Sequence, residues 1–212
     1  MLNNMTIERI HVFWNWFQSN LKEIILLANG TNRSLELDIG SHLKQIDPGL
    51  GWEIGPGRKQ KYGIAVSPNG TRDLLKIVDC VVEHAPTIPD WEVVGCKPPK
   101  MWDFRIQFRN RRGQEIALDA NDWKYSMISY GKGEFYDITL VAPNLPPMDI
   151  KARGYAAYAI LDSILGERTV IERVGKVKLI SASELTDTRF DKTLSALQVL
   201  AKHLSFLQTH PE

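Results

Sequence analysis

The stretch Gly55-Pro56-Gly57-Arg58-Lys59-Gln60-Lys61 combines backbone freedom with three cations. Successive N–H groups in such a turn make a concavity for an oxyanion, and neighbouring cations add charge around it. It is not a nucleotide-binding loop, because the Gly-Lys-Ser/Thr ending and the helix that must follow are both missing. Arg58, Lys59, Lys61 and Arg72 therefore form a candidate ligand set for an anionic metabolite, held around a cleft between the two halves of the chain. A hairpin tip made basic for solubility is the competing account.

Cys80 and His84 stand four apart on a predicted helix, opposite its apolar face. A thiolate and an imidazole at that spacing can share a metal or act as nucleophile and base. A metal site normally needs three or four ligands, and spacing points to no others, so no metal and no cofactor is expected. Arg105, Arg109, Arg111 and Arg112 form the one dense basic cluster, with Trp102, Phe104 and Phe108 among them, the composition of a single-strand stacking platform. Alternation turns the aromatics inward and the arginines outward, which favours core over platform and disfavours nucleic acid. Asp119, Asp122, Glu134 and Asp137 surround one hairpin, but strand spacing does not make any two converge, and Glu167 beside Gly166 reads as a turn residue.

Six tryptophans, Trp14, Trp16, Trp52, Trp91, Trp102 and Trp123, supply material for interface anchors as well as for core. Trp16 and Phe13 lie beside the main apolar stripe of the first helix rather than along it, and they are the candidate partner-binding residues.

The elements that must position these groups follow from periodicity. Ile7, Ile10, Trp14, Phe17, Leu21, Ile24 and Ala28 recur at helical steps, which predicts one helix from Thr6 to Ala28 ended by Asn29-Gly30. A second helix is expected over 35–45, then a hairpin of Gly51–Gly55 with Lys61–Ser67. A helix capped by Thr71 and ended by Pro86 leads into a strand at Trp91–Cys96. Phe104–Arg109 alternates as a half-buried strand, with Glu115–Leu118 returning beside it. Trp123–Tyr130 and Glu134–Val141 form a hairpin about Gly131-Lys132-Gly133. A helix capped by Asp149 carries Ile150, Gly154, Ala157, Tyr158, Leu161 and Leu165 on one face and stops at Gly166. Thr169–Ile180 reads as one long strand bent at Gly175, and Phe190, Leu194, Leu197, Ala201, Leu204 and Leu207 as a closing helix.

The order strand, strand, helix, strand thus occurs twice, at about 50–97 and 123–181, and suggests an internal duplication. The expected fold is α+β: a mostly antiparallel sheet from two strand-strand-helix-strand units, with N- and C-terminal helices packed against it. Residues 98–122 contain strand-like runs and make no flexible tether, so the chain is read as a single domain, 1–212.

Composition narrows the function classes. A hydrophobic share of 43% with 24% charged residues supports a packed core, and a net charge of +1 supplies no field toward nucleic acid or an anionic membrane. Cys80 and Cys96 are too few for a disulfide framework and read as reduced thiols. The opening MLNNMTIERI has no secretory pattern, and the longest apolar run, Ile24–Ala28, is far short of the roughly 20 residues that span a bilayer. A cytoplasmic location with no membrane partner is expected.

Phe13-Trp14-Asn15-Trp16-Phe17, Trp52-Glu53-Ile54-Gly55-Pro56-Gly57, Ala85-Pro86 with Pro89-Asp90-Trp91, and Leu165-Gly166-Glu167 together resemble a family of uncharacterised bacterial proteins, a domain of unknown function, over roughly residues 10–180. The resemblance implies a bacterial cytoplasmic origin and carries no catalytic residues. The expected function is a non-enzymatic protein-binding role, interaction or immunity-like, with a protein partner or a second copy of the chain as ligand. The alternative is a small enzyme or binding protein for an anionic metabolite.

Overall fold

The computed structural model describes residues 4–109, 113–185 and 194–209. It holds both helices and strands, as expected, but the sheets are small and mixed rather than mostly antiparallel. Where the sequence suggests one domain, the internal packing gathers in two compact units, Met1–Pro98 and Pro99–Glu212.

The first unit begins with α1 (Asn4–Ser19) and α2 (Leu21–Ala28). The single helix expected over 6–28 is broken at Asn20, whose side-chain amide donates to the Trp16 carbonyl at 2.8 Å while Ser19 Oγ donates to the Asn15 carbonyl. Short polar side chains that bond the backbone in this way compete with helix continuation. Ile10, Phe13, Trp14 and Phe17 of α1 are buried with Ile24 of α2 and with Ile39, Leu43 and Ile46 of α3 (Glu36–Ile46).

β1 (Gly51–Pro56) and β2 (Tyr62–Ser67) form the expected hairpin, antiparallel from Gly51↔Ser67 to Pro56↔Tyr62. The chain then passes through a short 3-10 turn, Arg72–Leu74, into α4 (Leu75–Glu83), and Thr71 makes no side-chain cap. β3 (Trp91–Gly95) returns parallel to β2, with Tyr62 opposite Trp91 and Gly63 opposite Glu92. A strand reached through a crossover helix re-enters its sheet in the original direction, and this corrects the antiparallel expectation. α4 buries Leu75, Val78 and Val81. The Val81 carbonyl, in its last turn, accepts the Trp14 indole N–H at 2.8 Å. An acceptor without an intrahelical partner is thereby satisfied inside the core.

The second unit opens with the hairpin β4 (Arg105–Arg109) and β5 (Glu115–Asp119), a separate two-stranded sheet. β6 (Lys124–Tyr130) and β7 (Phe135–Ala142) pair antiparallel. The Asp149 carboxylate accepts the Ala152 N–H at 2.8 Å and caps α5 (Ile150–Leu165), as its sequence predicts. The buried face of α5 is Ala156, Ala157, Ile160, Leu161 and Leu165, whereas Ile150 and Tyr158, expected on it, are exposed.

Gly166 does not end the helical region. At φ 81° it turns the backbone, and α6 (Glu167–Arg173) follows with Val170 and Ile171 buried, so the strand β8 starts only at Val174 and runs to Ser181. The β-branched run Thr169–Ile171 thus follows burial rather than intrinsic strand preference. β8 pairs parallel with β7, and its register slips between Tyr136 and Ile138. That slip is the bend expected at Gly175. Asp137 accepts the Lys176 N–H at 2.8 Å there, and the Tyr130 hydroxyl fills the space a Gly175 side chain would need.

A short strand β9 (Ser195–Ala196) pairs with β6 and completes the order β8-β7-β6-β9. A 3-10 turn, Leu197–Val199, then leads into α7 (Leu200–Thr209). The closing helix is therefore shorter than its periodicity suggests, and Phe190 lies outside the described residues.

Two stability measurements follow. Trp14→Phe, which leaves the buried Val81 carbonyl unpaired, should cost about 1–3 kcal/mol in urea unfolding followed by circular dichroism. Gly175→Ala, whose Cβ would meet Tyr130 and Asp137, should cost on the order of 1–3 kcal/mol through overpacking in the same measurement.

Candidate functional site

The β1–β2 loop forms the concavity its sequence suggests, but the anion in it belongs to the protein. Arg58 and Lys59 donate their backbone N–H groups to the two carboxylate oxygens of Glu92, the Lys59 bond measuring 3.1 Å. The Gly57 N–H donates to the Lys61 carbonyl at 3.3 Å and closes the loop on itself. Two glycines make the approach possible. A Cβ at Gly57 would lie 2.5 Å from the Gln60 carbonyl oxygen, and one at Gly63 would lie 3.3 Å from Gly57 Cα and 3.4 Å from Glu92 Cγ. Nothing in sequence spacing singles out Glu92. The signal is the parallel register that sets it opposite Gly63.

The side chains of Arg58, Lys59 and Lys61 stand exposed around this filled nest, Lys61 Nζ lying 5.1 Å from the centre of the Tyr62 ring. Arg72 is also exposed but belongs to another segment, the turn that enters α4. A small oxyanion arriving at the loop would find its best donors already taken, so the arrangement gives the metabolite reading no preformed set of free donors.

The two candidate partner residues of α1 part company. Phe13 is 0% exposed and packs edge-on against Trp14 at 4.7 Å, so it is core and cannot touch a partner while the unit is folded. Trp16 is half-buried and stacks on His42 of α3 at 4.3 Å between ring centres. Met5, Arg9, Val12 and Trp16 follow one another at steps of four, three and four and share one side of α1. Met5 is 55% and Val12 53% exposed, and Arg9 Nη1 donates to the Gln45 carbonyl at 2.9 Å, fastening that side of α1 to the end of α3. The pattern of apolar steps alone does not reveal this stripe, because Phe13 and Trp14 dominate it.

Cys80 and His84 are brought together, Sγ 3.6 Å from Nδ1, but Nδ1 is also 2.9 Å from the Cys80 carbonyl oxygen, the ordinary position for a ring N–H at a helix end. His11 of α1 adds a tilted ring 5.5 Å from that of His84. Burial pushes the Cys80 thiol up, and the charge of Glu83 adds to the effect. Both causes work against a thiolate at neutral pH. Among the described residues, no group of three or more His, Cys, Asp and Glu side chains is placed to hold a metal ion.

The described arginines of the basic cluster, Arg105 and Arg109, face carboxylate residues across the hairpin. Arg105 Nε donates to Asp119 at 3.0 Å, and register sets Arg109 opposite Glu115. Arg111 and Arg112 lie outside the described residues. Phe104 and Phe108 pack against the core, as alternation suggests. Hydrogen bonds from the Asn121 backbone and side chain, then from Arg105, hold the Asp119 carboxyl below the usual range. Asp137 serves the β8 bulge, and Glu167 is buried as the first residue of α6.

Because the Cys80 thiol is pushed up, its alkylation by iodoacetamide at neutral pH should run slower than that of free cysteine. The rate should rise with pH to an apparent pKa above the free-thiol value, read by mass spectrometry of the Cys80 peptide, while buried Cys96 stays unreacted. A rate at neutral pH equal to or above that of free cysteine would show the His84 ring activating the thiol.

No protein-family model, no curated protein and no solved structure matches this chain.

Proposed function

We propose that the chain is a non-enzymatic protein-binding molecule, of the interaction or immunity-like kind, whose contact is the outer stripe of α1: Met5, Arg9, Val12 and Trp16. The observation that carries this reading is the setting of Trp16. Its ring is neither free in solvent nor lost in the core, and stacking on His42 holds it in one orientation with part of its surface outward. Tryptophan and arginine dominate binding hot spots because they bring large contact area and directional donors. A ring already immobilised loses less side-chain entropy on association. Val12 and Met5 extend the apolar surface on the same side, and the Arg9 bond to Gln45 keeps α1 and α3 in register beneath it.

The test is capture of a partner from a lysate of the source cell by the intact chain, beside Trp16→Ala and Val12→Asp variants. Because Trp16 is half-buried and Val12 exposed, each variant should remain folded, Trp16→Ala costing on the order of 1 kcal/mol of stacking. Affinity for the captured partner should fall at least tenfold with either variant, the loss expected of a hot spot worth about 2 kcal/mol. Equal capture by the parent chain and both variants would move the contact elsewhere.

A further inference from the structure

We propose that the tip of the β1–β2 hairpin is a second docking surface, built to take a carboxylate-rich segment of a partner protein. The proposal shares the protein-binding class with the α1 stripe but stands on different residues, so each can fail alone.

Among the described residues several arginines sit in ion pairs while exposed lysines such as Lys124, Lys176 and Lys178 do not, and the hairpin tip is set apart by three cations within four residues. Arg33 pairs with Glu36, Arg105 with Asp119, Arg153 with Glu184 and Arg168 with Glu172. At the hairpin tip, Arg58, Lys59 and Lys61 stand exposed and consecutive but for Gln60, and no carboxylate among the described residues pairs with any of their side chains. The Glu92 carboxylate at the loop binds the backbone N–H groups of Arg58 and Lys59 instead. It therefore fixes the loop's shape without pairing with a side chain, and three cations around one carboxylate leave the tip net positive. With its amides occupied, the loop offers no cradle for a small oxyanion, and recognition passes to the three side chains. An array of cations spaced along a rigid turn matches carboxylates spaced along a partner chain.

Number decides the class of partner. A nucleic-acid binder commonly neutralises on the order of 6–10 phosphates, and a polybasic membrane segment uses about 4–8 cations. The tip has three, on a chain of net charge +1. Three cations suit a short acidic segment, where each rim charge contributes modestly and sets orientation and encounter rate.

The experiment measures anisotropy of a labelled oligo-glutamate peptide with the full-length chain at low and at physiological salt. Arg58→Gln/Lys59→Gln/Lys61→Gln should weaken binding about tenfold, whereas Lys124→Gln/Lys176→Gln/Lys178→Gln, which removes the same charge from exposed positions elsewhere, should leave it within about twofold. Glu92→Ala, with folding checked by circular dichroism, separates a built site from net charge. It makes the chain more positive, so simple attraction predicts tighter binding, while a loop shaped by Glu92 predicts weaker. The proposal is overturned by tighter or unchanged binding in Glu92→Ala, by equal losses in the two triple variants, or by absence of binding at low salt. Stronger binding of oligo-dT or of phosphatidylserine vesicles than of oligo-glutamate also overturns it.

Discussion

Much of the first unit's surface chemistry depends on the direction in which β3 joins β2. Because α4 carries the chain back over the sheet, β3 runs parallel to β2 and sets Glu92 opposite Gly63. From there the carboxylate reaches the N–H groups of Arg58 and Lys59 across the space left by two glycines. Topology, rather than loop composition, decides that the concavity binds an internal group. The same choice of direction makes Arg58, Lys59 and Lys61 a charged surface instead of the wall of an anion pocket.

What could be read from the sequence was set by how local the governing interaction is. The β1–β2 and β6–β7 hairpins and the Asp149 cap depend on residues within a few positions of each other, and they fold as their patterns indicate. The break at Asn20 is equally local, but it lies in one amide that turns on the Trp16 carbonyl, which apolar periodicity does not register. α6 was hidden for the opposite reason. Thr169, Val170 and Ile171 favour a strand locally, and only burial of Val170 and Ile171 makes them helical. β9 was hidden because Ser195 and Ala196 gain their role from β6, about seventy residues earlier in the chain, through pairing that no local pattern records.

The candidate sites divide along the same line. Residue type and spacing found the basic tip and brought Cys80 to His84, since the loop and the helix turn that hold them are local. They did not find Glu92, His42 or His11, each supplied by a different element. Phe13 and Trp16 show the cost of this blindness most directly. Both lie beside the main stripe of α1 in sequence terms, yet Phe13 is enclosed among Trp14, Trp16 and Phe17, while Trp16 reaches out to α3. The packing partner, not helical phase, separates core from surface here.

Charge pairing is the clearest contrast between the two hairpins. In β4–β5 the antiparallel register sets Arg105 against Asp119, which it pairs at 3.0 Å, and places Glu115 opposite Arg109. Cross-strand pairing of opposite charges stabilises such a ribbon and, by the same act, removes the field that would attract an anionic ligand. In β1–β2 the cations sit beyond the last paired residues, Pro56 and Tyr62, where no opposite strand can supply a carboxylate. Glu92 arrives from β3 instead and binds backbone, and three cations around that one carboxylate leave the tip net positive.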